Sequence, residues 1–129
     1  MEKRFVIWGS ILGFIGVAAG AFGAHALRDH FERFPDLQAT YETAVKYNFY
    51  HALALLMLGW AVERWPGKWL IRSGYLFLAG VILFSGSLYL LALTGIRWLG
   101  AITPLGGVAL LGGWASLGWG VSRDSSSKQ

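Results

Sequence analysis

The sequence predicts an all-α fold: a four-transmembrane-helix bundle, both termini cytoplasmic, with a short amphipathic interfacial helix between spans one and two. Three observations carry this. Four apolar runs approach the ~20 residues a helix needs to cross a hydrocarbon core of ~30 Å. Only 14% of the residues are charged, against roughly 25% in ordinary soluble domains. The links between runs collect the charges and prolines, and tryptophans cluster at their edges, as a bilayer–water boundary favours. The 129 residues form one integral membrane domain over 1–129, with spans at about 5–24, 43–62, 73–94 and 99–121.

The first run, Phe5 to Ala24, follows Lys3-Arg4 and carries no charge. Ala24-His25-Ala26 has the small-x-small form of a signal cleavage site, but the run exceeds the 7–15 residues of a signal core, so a retained span is expected. Leu27, Phe31 and Phe34 then recur at helical spacing, with Arg28, Asp29, Glu32 and Arg33 between them. Such a piece suits the headgroup boundary, apolar side down. Pro35-Asp36 breaks it, and Asp36 is the expected N-cap of the second long helix.

The second span has its apolar body from Thr43 to Val62. Glu42 and Lys46, four apart, read as an interfacial ion pair with Lys46 snorkelling outward. Pro66-Gly67 supplies a tight turn. Ser73 to Ile96 is uncharged and ends near Thr94-Gly95. Pro104 lies near the start of the fourth helix, where a missing N–H does least damage. Arg123 to Gln129 is a polar tail expected to be mobile. Lys3, Arg4, Arg64, Lys68, Arg72, Arg123 and Lys128 fall on one side, and Arg28, Arg33, Lys46 and Arg97 on the other. The excess places the termini inside.

Helices in lipid gain little from hiding apolar surface, so close backbone approach matters more. Gly9 with Gly13 and Gly16 with Gly20 form small-x-x-x-small pairs, and Gly112, Ser116 and Gly120 repeat the pattern in the fourth span. Internal packing and a subunit interface both follow from it.

Chemistry concentrates around Tyr47-Asn48-Phe49-Tyr50-His51. On a helix, Tyr47, Asn48 and His51 share one face, and His51 reaches mid-membrane. An imidazole at that depth costs free energy unless a neighbouring helix supplies partners. With the spans antiparallel, Ser85 comes to similar depth with Tyr89 one turn outward, while Ser87, Thr94 and Thr103 lie in the outer half and His25 near the outer end of span one. The expected arrangement is a polar pocket of His25, Tyr47, Asn48, His51, Ser85, Ser87, Tyr89 and Thr103, with His51 at its floor. Its plain reading is interhelical glue worth roughly 1 kcal/mol; its sharper one is a site for a proton or small solute.

Other classes find little support. Cysteine is absent, which removes disulfides and thiolate chemistry. The net charge of +4 comes from residues flanking apolar runs rather than a basic cluster, so nucleic acid is not an expected partner. No carboxylate lies deep in a span to pair as acid and base. Ser85-Gly86-Ser87 lacks the strand of a nucleophile elbow and fits tight helix packing. A zinc site lacks a third ligand, and a haem would need His25 and His51 at matching depth, which they miss by about two turns. No metal, cofactor or catalytic residue is expected.

Four ordered stretches carry a resemblance: Gly20-Ala-Phe-Gly-Ala-His-Ala-Leu27, Tyr47-Asn-Phe-Tyr-His-Ala-Leu-Ala-Leu-Leu56, Leu83-Phe-Ser-Gly-Ser-Leu-Tyr89 and Gly100-Ala-Ile-Thr-Pro-Leu-Gly-Gly107. Together they resemble the domain of unknown function 423 family, small bacterial inner-membrane proteins of the YgdD and YwdK type. The resemblance implies a multi-pass protein of the bacterial plasma membrane and supplies no activity. The expected function is a non-enzymatic structural or interaction protein binding membrane lipids or an unknown membrane protein, alone or as a homo-oligomer. The alternative is a transporter or channel component using the polar pocket around His51.

Overall fold

A computed structural model describes Glu2 to Asp124. Met1 and residues 125–129, with Lys128 of the charge count and most of the polar tail, lie outside the described residues. The first run forms α1 (Lys3–His25), and the amphipathic link forms α2 (Arg28–Arg33). Helix α3 (Pro35–Arg64) begins well before its apolar body, because Pro35 occupies its first turn with φ already fixed for a helix. Its N-cap is therefore Phe34 and not Asp36, which enters the first turn and pairs with Arg97 Nη2 at 2.7 Å.

Gly67, at φ +151°, turns the chain straight into α4 (Lys68–Thr94), so that helix starts earlier than its uncharged run. Gly95 closes α4 in the left-handed region, its N–H donating to Leu91 O at 2.7 Å. The fourth run is not one helix: a 3-10 turn (Arg97–Ala101) precedes α5 (Thr103–Ser122), which carries Pro104 in its first turn.

α1 packs on α3, α3 on α4, and α4 on α5. The central pair is thus α3 and α4, with α1 and α5 as flanks. One core, around Phe5, Leu55, Leu58, Leu70, Phe77 and Leu110, fills the half nearer the termini. A second, of Phe31, Leu37, Tyr41, Leu91, Ala92 and Leu99, fills the other end under α2. Helix α2 is docked rather than simply floating at the interface. Phe31 is buried against the Tyr41 ring, and His30 Nε2 donates to Ala92 O at 2.8 Å. Phe34 leaves the helical path to cap α3, so its ring faces outward instead of down.

The glycines pack by sevens rather than by fours. A Cβ on Gly9 would lie 2.7 Å from Ala52 O, one on Gly16 2.8 Å from Phe49 Cδ2, and one on Gly23 would clash with Cε1 at the edge of the Tyr41 ring. On α5, Gly106 faces the Phe84 backbone, Gly113 the Phe77 ring and Gly120 the Leu70 side chain. Seven residues drift only about 20° around a helix, whereas four advance about 40°, so a sevenfold repeat stays on the seam. Gly13 accordingly meets nothing within 4 Å, Gly20 only Val45 at 3.8 Å and Gly112 only Leu76 at 3.5 Å. Ser116 is half-buried.

The expected Glu42–Lys46 ion pair does not form. Glu42 instead takes a long 3.5 Å contact from Gln38 Nε2, four residues earlier on its own helix. Among the described residues, three stretches are long and apolar enough to cross a membrane: Lys3–His25, Lys68–Thr94 and Arg97–Ser122. The 30-residue α3 is longer but less apolar, because it carries Asn48, His51, Glu42 and Lys46.

Candidate functional site

His51 is 4% exposed, and both its ring nitrogens are occupied. Nδ1 lies 2.8 Å from Tyr47 O, and Nε2 lies 3.0 Å from the indole Nε1 of Trp114 on α5. An indole nitrogen only donates and a carbonyl only accepts. The pair of partners therefore assigns the tautomer: Nδ1 carries the proton, Nε2 accepts, and the ring is neutral. Phe77 and Trp114 wall it at centroid distances of 5.5 and 5.8 Å, with Trp114 edge-on. Protonating Nε2 would place two donors face to face and break the bond to α5.

The other polar side chains join helices in pairs. Ser85 Oγ, 1% exposed, donates to Ala44 O at 2.9 Å, tying α4 to α3. Ser73 Oγ donates to Gly113 O at 2.7 Å, and Ser87 Oγ meets Thr103 Oγ1 at 2.6 Å, both tying α4 to α5. Asn48 Nδ2 donates to the Tyr89 hydroxyl at 2.9 Å, while Tyr41 donates to Ala19 O of α1. The rings of Tyr41 and Tyr89 meet edge-on at 5.5 Å. One buried acceptor stands out: Asn48 Oδ1 has no hydrogen-bond partner.

These residues form two sets, one on each side of the α3–α4 pair. His51 leans toward α5, whereas Asn48, Tyr89 and Tyr41 gather toward α1. Ser85 and Tyr89 thus hydrogen-bond elsewhere than at His51. Tyr47 is partly exposed, stacked on His51 at 6.2 Å and tilted against Phe84 at 4.6 Å. His25 is exposed at the end of α1. Sequence reasoning missed Trp114 and Ser73. The signal was present for both: an amphipathic indole deep in an apolar run, and a hydroxyl at the start of one. Among the described residues, no three His, Asp or Glu side chains are grouped to hold a metal.

A family model described as a protein of unknown function (DUF423) matches residues 19–107. The chain belongs to this family. The UPF0382 membrane protein YwdK of Bacillus subtilis is 45% identical over 105 residues, covering 79% of this chain and 82% of that protein. SH2409 of Staphylococcus haemolyticus is 42% identical over 102 residues, covering 79% and 81%. The inner membrane protein YgdD of Escherichia coli K12 is 41% identical over 105 residues, covering 81% and 79%. No solved structure matches. These relatives and the long apolar helices make the chain a membrane protein. The matched stretch contains Tyr41, Asn48, His51, Ser85, Tyr89 and Thr103, while Trp114 lies beyond it.

Proposed function

We propose that this chain is a non-enzymatic bundle that crosses a bacterial inner membrane four times, with both termini in the cytoplasm. It acts through lipid or protein partners at its apolar surface, alone or as a homo-oligomer. The supporting observation is that its buried polar side chains, Asn48 Oδ1 apart, are bonded to partners within the bundle. A proton carrier needs a nitrogen free to load and unload, and the His51 ring has both bonded. Ser73, Ser85 and Ser87 likewise bond across helices, as glue does in lipid.

Helix α3 supplies the fourth crossing. Its 30 residues extend about 45 Å, and its deep polar side chains face neighbouring helices, which lowers its apolar character without exposing charge at mid-depth. The orientation rests on the basic residues at the end where α1 begins and α5 finishes. Because the chain has no cysteine, single cysteines introduced at Thr94 and Ser122 report sidedness directly. A membrane-impermeant maleimide applied to whole cells should label the first and spare the second.

The second reading, a transport component for a proton or small solute, draws on the unpartnered Asn48 Oδ1. Purified protein in vesicles separates the two. Glue predicts that His51→Ala lowers stability in detergent and leaves flux at the protein-free level. Flux above that level in wild type, lost in His51→Ala, would overturn the structural reading. Crosslinking in native membranes followed by mass spectrometry identifies protein neighbours.

A further inference from the structure

The seam between α1 and α3 is hollow along its outer side. At the α2 end a cavity of about 290 Å³ is floored by Gly20, Gly23 and Val45 and rimmed by Gln38, Glu42 and Lys46. One turn further along both helices, a second hollow of about 570 Å³ lies over Gly13, Val17, Phe49, Leu53 and Leu56. On α3, residues 38, 42, 46, 49, 53 and 56 share one face, so the two hollows, which share no lining residue, lie in line as a groove charged at its mouth and apolar below. Gly13 borders the open part of the lower hollow, where a Cβ would meet no atom within 4 Å.

The mouth presents two unused charges. Neither Glu42 nor Lys46 forms an ion pair among the described residues; the Gln38 amide at 3.5 Å is the hydrogen bond Glu42 makes. They stand about one helical turn apart, about 6 Å along the axis, with Lys46 the deeper. From Lys46 to Leu56 the groove runs about 15 Å, half the thickness of a hydrocarbon core.

We propose that this groove holds one diacyl phospholipid with a zwitterionic aminophosphate head group. The phosphate sits on Lys46, the primary ammonium on Glu42, and one acyl chain lies over Gly13 against Phe49 and Leu53. Phosphate and amine joined by two carbons have the order and spacing the two side chains require. A purely anionic head group satisfies Lys46 and sets negative charge beside Glu42. A second copy related by a two-fold axis along the membrane normal brings like charges together at equal depth. The proposal rests on the membrane-spanning reading above and names the lipid for it.

The test uses the full chain, extracted in mild detergent, exchanged into nanodiscs of an equal mixture of dioleoyl phosphatidylethanolamine, phosphatidylcholine and phosphatidylglycerol, then released for native mass spectrometry. Wild type should retain phosphatidylethanolamine in preference to the other two. Glu42→Gln should lose that preference while still retaining phospholipid, and Lys46→Met should lose retention. Gly13→Leu should abolish retention with unchanged helicity and thermal stability, since its side chain enters space no protein atom occupies. Equal retention of the three lipids, preference for phosphatidylglycerol, retention undiminished in Gly13→Leu, or a second protein copy in the groove would each overturn the proposal. Resistance of the same variants to alkaline extraction from membranes reads the spanning model separately.

Discussion

The two flanking helices carry the same glycine repeat and use it differently. Gly106, Gly113 and Gly120 on α5 face Phe84, Phe77 and Leu70 of α4, which are also seven apart, so every gap receives a side chain or backbone in register. Gly9, Gly16 and Gly23 on α1 face Leu56 and the Ala52 carbonyl, Phe49, and Tyr41 of α3, so the interval of seven holds from Leu56 to Phe49 and slips to eight at Tyr41. The α4–α5 seam is filled from Phe84 to Phe77 and opens at its terminal end into a hollow of about 340 Å³ beside Leu70 and Gly120, while the α1–α3 seam closes on one side and stays hollow along the other. A glycine repeat fixes where two backbones can approach. The partner helix decides whether the seam is sealed.

The largest expected effect sharpens this contrast. Gly106→Ala sets a methyl group against the Phe84 backbone, which cannot rotate away, and should cost about 3 kcal/mol, the upper end for overpacking. Reversible unfolding in mixed micelles measures it. A loss no greater than that of Gly13→Ala would break the distinction between the two seams.

His51→Ala comes next, at about 2 kcal/mol, because it strands the Trp114 N–H and removes a buried ring. A double-mutant cycle with Trp114→Phe should return a coupling of about 0.6 kcal/mol. Zero coupling would mean that the bond does not hold α5 in place.

Smaller still is a pH effect at the α2 end. The hydrogen bond from Arg97, aided by its charge, holds the Asp36 carboxyl below its ordinary value of 3.8. The folded state therefore favours the ionised form. Its contribution is complete above the ordinary value and disappears as pH falls through the lowered one. Melting temperature followed downward from pH 6 should fall less steeply in Asp36→Asn than in wild type. Identical curves would show that the exposed pair contributes nothing. Gly13→Ala, which meets no atom, should leave stability undiminished.

Much of the fold was legible because lipid-length apolar runs and interfacial punctuation are local signals. The α2 link, the turn at Gly67 and the stop at Gly95 could all be read from adjacent residues. The site was only partly legible, because its bonds join residues far apart in the chain. His51 was identifiable as costly and Asn48 as sharing its face, but their partners depend on how α3 is rotated against α4 and α5. That rotation gave His51 to Trp114 and Tyr89 to Asn48. The same reason misled the glycine reading: spacing by four is visible in sequence, whereas the seam is chosen by packing. Asp36 and Arg97 meet through the fold alone.

At the end carrying the termini, each of four arginines lies over an aromatic ring. Arg4 covers Tyr75 at 5.2 Å, Arg64 covers Trp65 at 5.3 Å, Arg72 covers Trp69 at 4.9 Å and Arg123 covers Trp119 at 5.5 Å. Such pairs combine a headgroup-seeking cation with a ring that prefers the same depth. The opposite face has one such pair, Arg33 over Phe34 at 5.9 Å, so the molecule is moored more firmly at the face of the termini. When acyl chains shorten and the bilayer thins, that face should hold its level, and the adjustment should fall on the opposite face, where α2 and the Arg97 turn protrude further into water.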